Sequence, residues 1–183
     1  MANRFLQTLS TPAVLAAQEH YYGRARAPQA GPEREPLGED EATFIAARGP
    51  FYLATVSENG WPYVQHRGGA RGFLRVLSPV LLAFADYKGN RQLLTTGNLA
   101  TNDRVTLFLM DYPNRTRLKI IGHARVEDAK QHPELTVTLA DPTVSRLGER
   151  FIFIYVDSFD WICQQYITHR YTMKEIEARD LDR

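Results

Sequence analysis

The stretch RLKIIGHARV, residues 117–126, restricts the folds open to this chain more than any other part of the sequence. Its side chains alternate: the positions that include Arg117, Lys119 and His123 are mostly polar, and the positions between them are all small or apolar. Because successive side chains of a β-strand point to opposite faces, the pattern predicts a long strand with one face on a core. The other face must meet solvent, a ligand or a partner.

Five other segments have the apolar, aromatic and β-branched composition of strands. They are residues 51–56, 61–67, 80–86, 104–110 and 151–157. A Ser-Glu-Asn-Gly turn at residues 57–60 joins the first two as a hairpin. The sequence lacks the strand-helix alternation of a doubly wound sheet and its glycine-rich nucleotide motifs. We therefore predict a mainly β protein, a six-stranded antiparallel barrel with short flanking helices.

Helical patterns are short and lie around these strands. A cap candidate at Thr11 before a proline predicts a helix over residues 13–22, and the Pro-, Gly- and Arg-rich residues 23–38 predict an irregular arm. Further short helices are expected at residues 39–48, 92–98, 132–140 and 173–183. The chain is expected to be one domain, with N-terminal helices and arm in 1–48, barrel core and binding site in 49–126, and last strand and tail in 127–183.

The composition narrows the class of protein. Hydrophobic residues make up 44% and charged residues 23%, as in a globular domain, and no apolar run is long enough to span a bilayer. A net charge of +1 argues against a broad nucleic-acid-binding surface. One cysteine, Cys163, permits no internal disulfide, so we expect a cytoplasmic protein without membrane or nucleic-acid partners. The five histidines show no metal-ligand spacing, and we expect no metal site.

Polar and basic side chains collect where two predicted strands end. One strand closes with Gln65, His66 and Arg67, and another is followed by Asn90, Arg91 and Gln92. Arginine forks, amide donors and the free amides of a helix start all suit an anion. The sequence therefore predicts a phosphate-binding site at these strand ends.

These motifs also resemble a known family. The runs QHRGG at 65–69, FADYKGNRQ at 84–92 and RLKIIG at 117–122 occur in the order and spacing of the pyridoxamine 5'-phosphate oxidase-like FMN-binding split-barrel flavoproteins. The resemblance covers roughly residues 44–126. The run FDWICQQ at 159–165 is similar to the tail of an uncharacterised branch of that superfamily, not of the oxidase proper.

The resemblance implies a six-stranded split β-barrel that binds FMN at the interface of a homodimer. It places Gln65, His66, Arg67 and Gly68 beside the flavin ring, and Asn90, Arg91 and Gln92 at the phosphate. Ala85 and Asp86 belong to the same site, Arg117 and Lys119 reach it from the second subunit, and Trp161 is a candidate to cover the ring. The oxidase proper has an arginine and a lysine-ending apolar run where this chain has Gln65 to Gly68, and a cation where it has Gln92.

Each of these residues also has an ordinary structural interpretation. Arg91 would suit a solvated surface, and His66 suits a hydrogen-bonded structural role better than catalysis. Trp161 is equally suited to core packing, interface packing or a flavin lid. Arg117 and Lys119 would also protect an exposed strand. The motifs identify no catalytic residue.

The function implied by the resemblance is an FMN-dependent oxidoreductase that acts on a small organic substrate by hydride or electron transfer. Pyridoxamine 5'-phosphate itself is disfavoured, because the segment that holds it in the oxidase proper is not recognisable here. Two alternatives stay open at this point: a non-catalytic carrier or sensor of FMN, and a split-barrel reductase that uses deazaflavin or a protein that handles haem.

Overall fold

The computed structural model describes residues 4–140, 148–162, 165–173 and 175–177. In chain order the elements are α1 (Arg4–Leu9), α2 (Pro12–Tyr22), α3 (Glu39–Ala46), β1 (Phe51–Val56), β2 (Pro62–Arg67), β3 (Arg75–Ser78), β4 (Leu81–Asp86), α4 (Leu94–Thr101), β5 (Arg104–Asp111), β6 (Thr116–Asp128) and β7 (Arg150–Ile162). Two 3-10 turns, Ala129–Gln131 and Pro133–Leu135, follow β6. Among the described residues, no helix is both long and apolar enough to cross a membrane.

All seven strands belong to one antiparallel sheet with the order β2-β1-β5-β6-β7-β4-β3. The prediction of six strands was wrong by one, because it missed β3. This strand has only four residues, all of them half-buried, and its pairing with β4 shifts register between Val76 and Ser78. A strand this short and irregular shows no alternation of polar and apolar residues in the sequence.

The sheet curls so that its two halves share one core. Phe51 on β1 lies 5.2 Å from Phe84 on β4, measured between ring centroids, and Phe73 lies 5.5 Å from Phe84. β1 and β4 are far apart in the strand order, so these contacts exist only because the sheet closes on itself. Among the described strands β2 pairs only with β1 and β3 only with β4, which leaves a seam between the two ends of the sheet.

The alternation predicted for β6 is confirmed. Leu118, Ile120 and Ala124 are buried, whereas Arg117 and Lys119 on the other parity are partly exposed. The pairing of β6 with β7 shifts register after residue 121, and at that point a Cβ on Gly122 would lie 2.1 Å from a backbone oxygen of β7. Only glycine therefore permits the two longest strands to approach each other there.

The predicted helices had mixed outcomes. α2 begins after Thr11, whose hydroxyl accepts a hydrogen bond from the Val14 amide, and α3 lies within the predicted range. The helix predicted at residues 132–140 was wrong, because the chain forms the short 3-10 turns instead. His132 lies between these turns and places its ring nitrogens against Glu127 and Glu134, which ties the end of β6 to the second turn. Cys163, the helix break expected at residues 141–142 and most of the helix expected at 173–183 lie outside the described residues.

Candidate functional site

A pocket of about 460 Å³ lies where the two ends of the sheet come together. One wall is the inward face of β2, with Tyr63, Gln65 and Arg67; the end of β4, residues 87–93, the start of α4 and the start of β7 complete it. This volume is within the usual range for small-molecule sites. Five of the predicted site residues other than Arg67 line it as well: Gln65, Asp86, Asn90, Arg91 and Gln92.

Residues 87–93 form a loop with an unusual backbone. Arg91 and Leu93 have φ angles of 64° and 54°, in the left-handed region that residues other than glycine seldom adopt. The loop is held locally, since the Asn90 side chain accepts a hydrogen bond from the Gln92 amide at 3.1 Å and donates one to the Gln92 side chain at 3.0 Å. α4 consequently begins at Leu94, two residues later than predicted.

Two cations on this loop have no partner among the residues that the structure describes. The Lys88 and Arg91 side chains are exposed, line the pocket and form no hydrogen bond or ion pair with any residue that the structure describes. A surface cation gains little from a single protein partner, so its isolation alone would mean nothing. Here both cations border one pocket and follow one strand, which is the arrangement expected around an anion.

The floor of the pocket holds a buried charge network. Asp86 is 8% exposed, and its two oxygens take different arginines: Oδ1 lies 2.6 Å from Nη1 of Arg67, and Oδ2 lies 3.1 Å from Nε of Arg150. Arg150 also bonds Glu149 at 3.2 Å, and the Arg67 guanidinium lies over the ring of Phe84. Nε of Arg67 is buried without a hydrogen-bond partner among the described residues. Buried donors are rarely left unpaired, so this atom indicates a missing acceptor.

Side-chain hydrogen bonds fix the wall of the pocket to the helix beside it. Thr95 on α4 donates to the Gln65 side chain of β2 at 2.9 Å, and one turn later Asn98 donates to Thr55 of β1 at 2.8 Å. Both threonines and Asn98 are buried, so these bonds form away from water and hold α4 against the sheet. Gln65 therefore positions the start of α4 as well as lining the pocket.

The pocket carries an excess of positive charge. Four basic side chains line it (Arg67, Lys88, Arg91 and Arg150) against two acidic ones (Asp86 and Glu149). Two positive charges therefore remain after formal pairing. This excess matches the charge of a phosphate monoester, which carries between one and two negative charges at neutral pH.

Several predicted site residues lie on the other face of the sheet. Strand register places His66, Tyr52, Phe108 and Lys119 in one row across β2, β1, β5 and β6, on the face that points away from the core. The His66 ring packs edge-to-face on Tyr52, with 5.6 Å between centroids. Within one chain, the structure does not bring this face into the pocket.

The remaining predicted residues are also outside the pocket. Ala85 is buried in a second apolar cluster with Leu139 and Phe151, apart from the barrel core, and Gly68 is exposed beyond the end of β2. Arg117 lies on the outward face of β6, and its Nε atom is buried without a partner among the described residues. Trp161 donates from Nε1 to Glu41 at 2.5 Å and packs edge-to-face on Phe44 of α3, so in this chain it holds β7 to that helix.

Sequence reasoning missed Lys88, Arg150, Glu149 and Tyr63 as pocket residues. Lys88 had a local signal, because it stands three residues before Arg91 in the same loop. Arg150 comes directly before the strongest apolar segment of the chain, and it reaches the pocket because β7 pairs with β4, where Arg150 lies opposite Asp86. That neighbour relation depends on the sheet order, which the sequence alone did not specify.

Comparison with known proteins identifies the family. A sequence profile described as pyridoxamine 5'-phosphate oxidase matches residues 37–166, more than half of the chain. No curated protein matches the sequence significantly. Among solved structures, the fold is similar to that of HupZ from Group A Streptococcus, at 11% identity and a TM-score of 0.53, over 74% of this chain and 99% of that one. It is likewise similar to a provisional pyridoxamine 5'-phosphate oxidase from Lactobacillus delbrueckii, at 21% identity and a TM-score of 0.52, over 68% of this chain and 93% of that one.

The two kinds of comparison support different conclusions. At these identities the structural likenesses establish the fold, a split barrel, and nothing about the ligand. The profile match spans α3, all the strands and the pocket, so it covers the part of the chain from which the site is built. The chain therefore belongs to the pyridoxamine 5'-phosphate oxidase family.

Proposed function

We propose that this protein binds FMN, with the phosphate in the pocket at the seam, and that it is an oxidoreductase acting on a small organic molecule. The observation that carries the proposal is the pocket of a pyridoxamine 5'-phosphate oxidase family member lined by two cations, Lys88 and Arg91, that have no partner among the described residues. Family members commonly bind flavin, and the phosphate of FMN needs cations of this kind. The single cysteine of the chain fits work in the reducing cytoplasm.

The residues present fit the chemical groups of FMN. Arg91 and Lys88 supply cations for the phosphate, and Asn90 and Gln92 supply neutral donors beside them. Arg67 also lines the pocket, and its buried Nε–H has no acceptor among the described residues. Bound FMN would supply reversible hydride or electron transfer, and the role of the chain is to hold the phosphate and shield the site.

We propose further that the protein is a homodimer whose second subunit completes the flavin site. The support is the outward face of the sheet, where Tyr52 is 39% and Val64 61% exposed and Phe108 is partly exposed beside them. Lys119 lies in the same row, and Arg117 on the same face has a buried Nε without an acceptor in the described part of the chain. A two-fold dimer through this face would bury the apolar side chains and would bring Arg117 of one chain towards the ligand of the other.

The deciding experiment is the absorption spectrum of the purified protein, followed by mass identification of the molecule that heat releases. Flavin absorption with the mass of FMN, at about one per chain, is the expected result. Release of a deazaflavin or of haem would overturn the FMN assignment.

A second measurement separates an enzyme from a carrier or sensor. The FMN-loaded protein is supplied with reduced nicotinamide and a panel of small organic acceptors, and the rates are compared with those of free FMN. Turnover above free flavin is expected. Tight stoichiometric binding with no rate above that of free FMN would refute the oxidoreductase assignment in favour of a carrier.

A further inference from the structure

The pocket contains an acid where an anion is expected to bind. Asp86 is buried at the floor, close to the cations that would meet a phosphate, and a carboxylate in that position repels a phosphate directly. Its place in the site therefore needs an explanation other than contact with the ligand.

The geometry around Asp86 supplies that explanation. Its two oxygens are occupied by guanidinium groups from two strands that are not neighbours, Arg67 at the end of β2 and Arg150 at the start of β7. β2 stands at one end of the sheet order, so this bridge crosses the seam where no strand pairing holds the two sides together. Both arginines keep further N–H groups that are not bonded to Asp86, and both line the pocket.

We propose that Asp86 is a positioning residue that holds Arg67 and Arg150 as one rigid floor of guanidinium donors, and that this floor, together with the rim cations Lys88 and Arg91, selects a phosphate monoester. The inference rests on the proposed FMN site and adds to it a residue, Arg150, that brings a third element into phosphate recognition. Asp86 acts through the two arginines and does not touch the ligand.

The charge distribution explains the preference for a monoester. Asp86 neutralises about one of the two floor cations. Glu149 pairs with Nη1 of Arg150, the terminal nitrogen that does not bond Asp86. The floor is therefore ordered without being strongly charged. The two rim cations, Lys88 and Arg91, which no described residue pairs, supply the net charge that a single phosphate needs. If Asp86 lost its charge, Arg150 would turn towards Glu149, and Arg67 would lose the partner that orients it.

The test compares FMN with riboflavin, which has the same ring and chain but no phosphate. Both ligands are titrated into the whole protein and into Asp86→Asn, with the quenching of flavin fluorescence as the readout. Asp86→Asn should weaken FMN binding about tenfold or more, the effect of one misplaced charge-assisted hydrogen bond, and should change riboflavin binding less than twofold. A purely structural role for Asp86 would weaken both ligands alike, and that result would overturn the proposal.

A second variant guards against a folding defect. Arg150→Gln leaves the Arg67–Asp86 pair intact, and its side chain is 21% exposed, so the fold is expected to persist. FMN affinity should fall severalfold with riboflavin unchanged, and the double variant with Asp86→Asn should lose less than the product of the two single losses. Independent, multiplicative losses would contradict the shared floor. If the unmodified protein bound FMN and riboflavin equally, the monoester site itself would be refuted, whereas failure to bind either ligand would refute the proposed function.

Discussion

Two loops of this barrel carry an exposed arginine in left-handed backbone, and they use it in different surroundings. Arg91 lies in the pocket loop with φ 64°, and Arg115 lies in the β5–β6 turn with φ 52°. The β5–β6 turn is tied down by the buried Asp111, which accepts from the Asn114 amide at 3.1 Å and from Arg48 at 2.7 Å. The pocket loop is held by the hydrogen bonds between Asn90 and Gln92, and no ion pair with a described residue anchors its cations. The same left-handed backbone therefore occurs in a turn anchored by a buried ion pair and in a loop whose cations have no partner among the described residues.

The largest expected effect is a loss of stability at the β5–β6 turn, where Asp111 is paired with Arg48. Arg48→Ala would leave the buried carboxylate of Asp111 without its cation and should lower the free energy of unfolding by roughly 3–5 kcal/mol. Denaturant unfolding measures the loss, and FMN affinity of the folded fraction should stay the same. A loss below about 1 kcal/mol would mean that Asp111 is satisfied by the turn alone and would break the comparison.

The next largest effect is a loss of FMN affinity on changing the pocket loop, residues 87–93. Arg91→Ala should weaken FMN binding by roughly 1.5–3 kcal/mol and leave thermal stability nearly unchanged, because the side chain is exposed and has no described protein partner. Arg115→Ala is the matched control, since it removes an exposed arginine from the same kind of backbone. Equal loss of FMN affinity in both variants would show that the general loss of a surface positive charge, and not phosphate contact at residue 91, causes the effect.

A mixing experiment extends the comparison across the proposed dimer interface. Arg91→Ala and Arg117→Ala proteins are each expected to bind FMN poorly, but their heterodimers would contain one intact site. After dissociation and random reassociation in equal amounts, about a quarter of all sites should regain high affinity in an FMN titration. No recovery in confirmed heterodimers, or a monomer by sedimentation, would refute the shared site.

The smallest expected effect is a pH-dependent change in stability that arises from a carboxyl group, that of Glu35. Burial, with the nearby carboxylates of Asp160 and Glu41, raises the pKa of Glu35 above its ordinary value. The folded state therefore binds this proton more tightly than the unfolded state, so stability falls as pH rises from the ordinary pKa through the raised one. Glu35→Gln should raise the melting temperature at neutral pH, and the gain should vanish near about pH 4. A gain that is the same at both pH values would exclude the charge as its cause.

Features contained in one short segment could be predicted from the sequence. The alternation in β6 and the cluster at Asn90, Arg91 and Gln92 could both be recognised because each is contained in one short segment. The fold class followed from the number and spacing of such segments. β3 was missed because four half-buried residues contain no period to detect.

The parts that sequence reasoning missed depend on contacts between distant segments. Arg150 joins the pocket because β7 lies beside β4. After residue 131 the chain forms the short 3-10 turn Pro133–Leu135 in place of the expected helix. The late start of α4 has a different cause, the left-handed backbone at Leu93, which the residue type itself disfavours. Such details are set by tertiary packing, which overrides local propensity.

The seam between β2 and β3 also has a dynamic consequence. Along one edge, the backbone amides of β2 have no neighbouring strand among the described residues. We therefore expect the barrel to open locally at this strand more readily than elsewhere. Its amides should exchange with heavy water faster than those of β6, which is paired on both sides. A ligand that bridged Arg67 to the loop at residues 87–93 would connect the two sides of the seam and make local opening rarer. Slower hydrogen exchange along β2 in the presence of the ligand would measure that change.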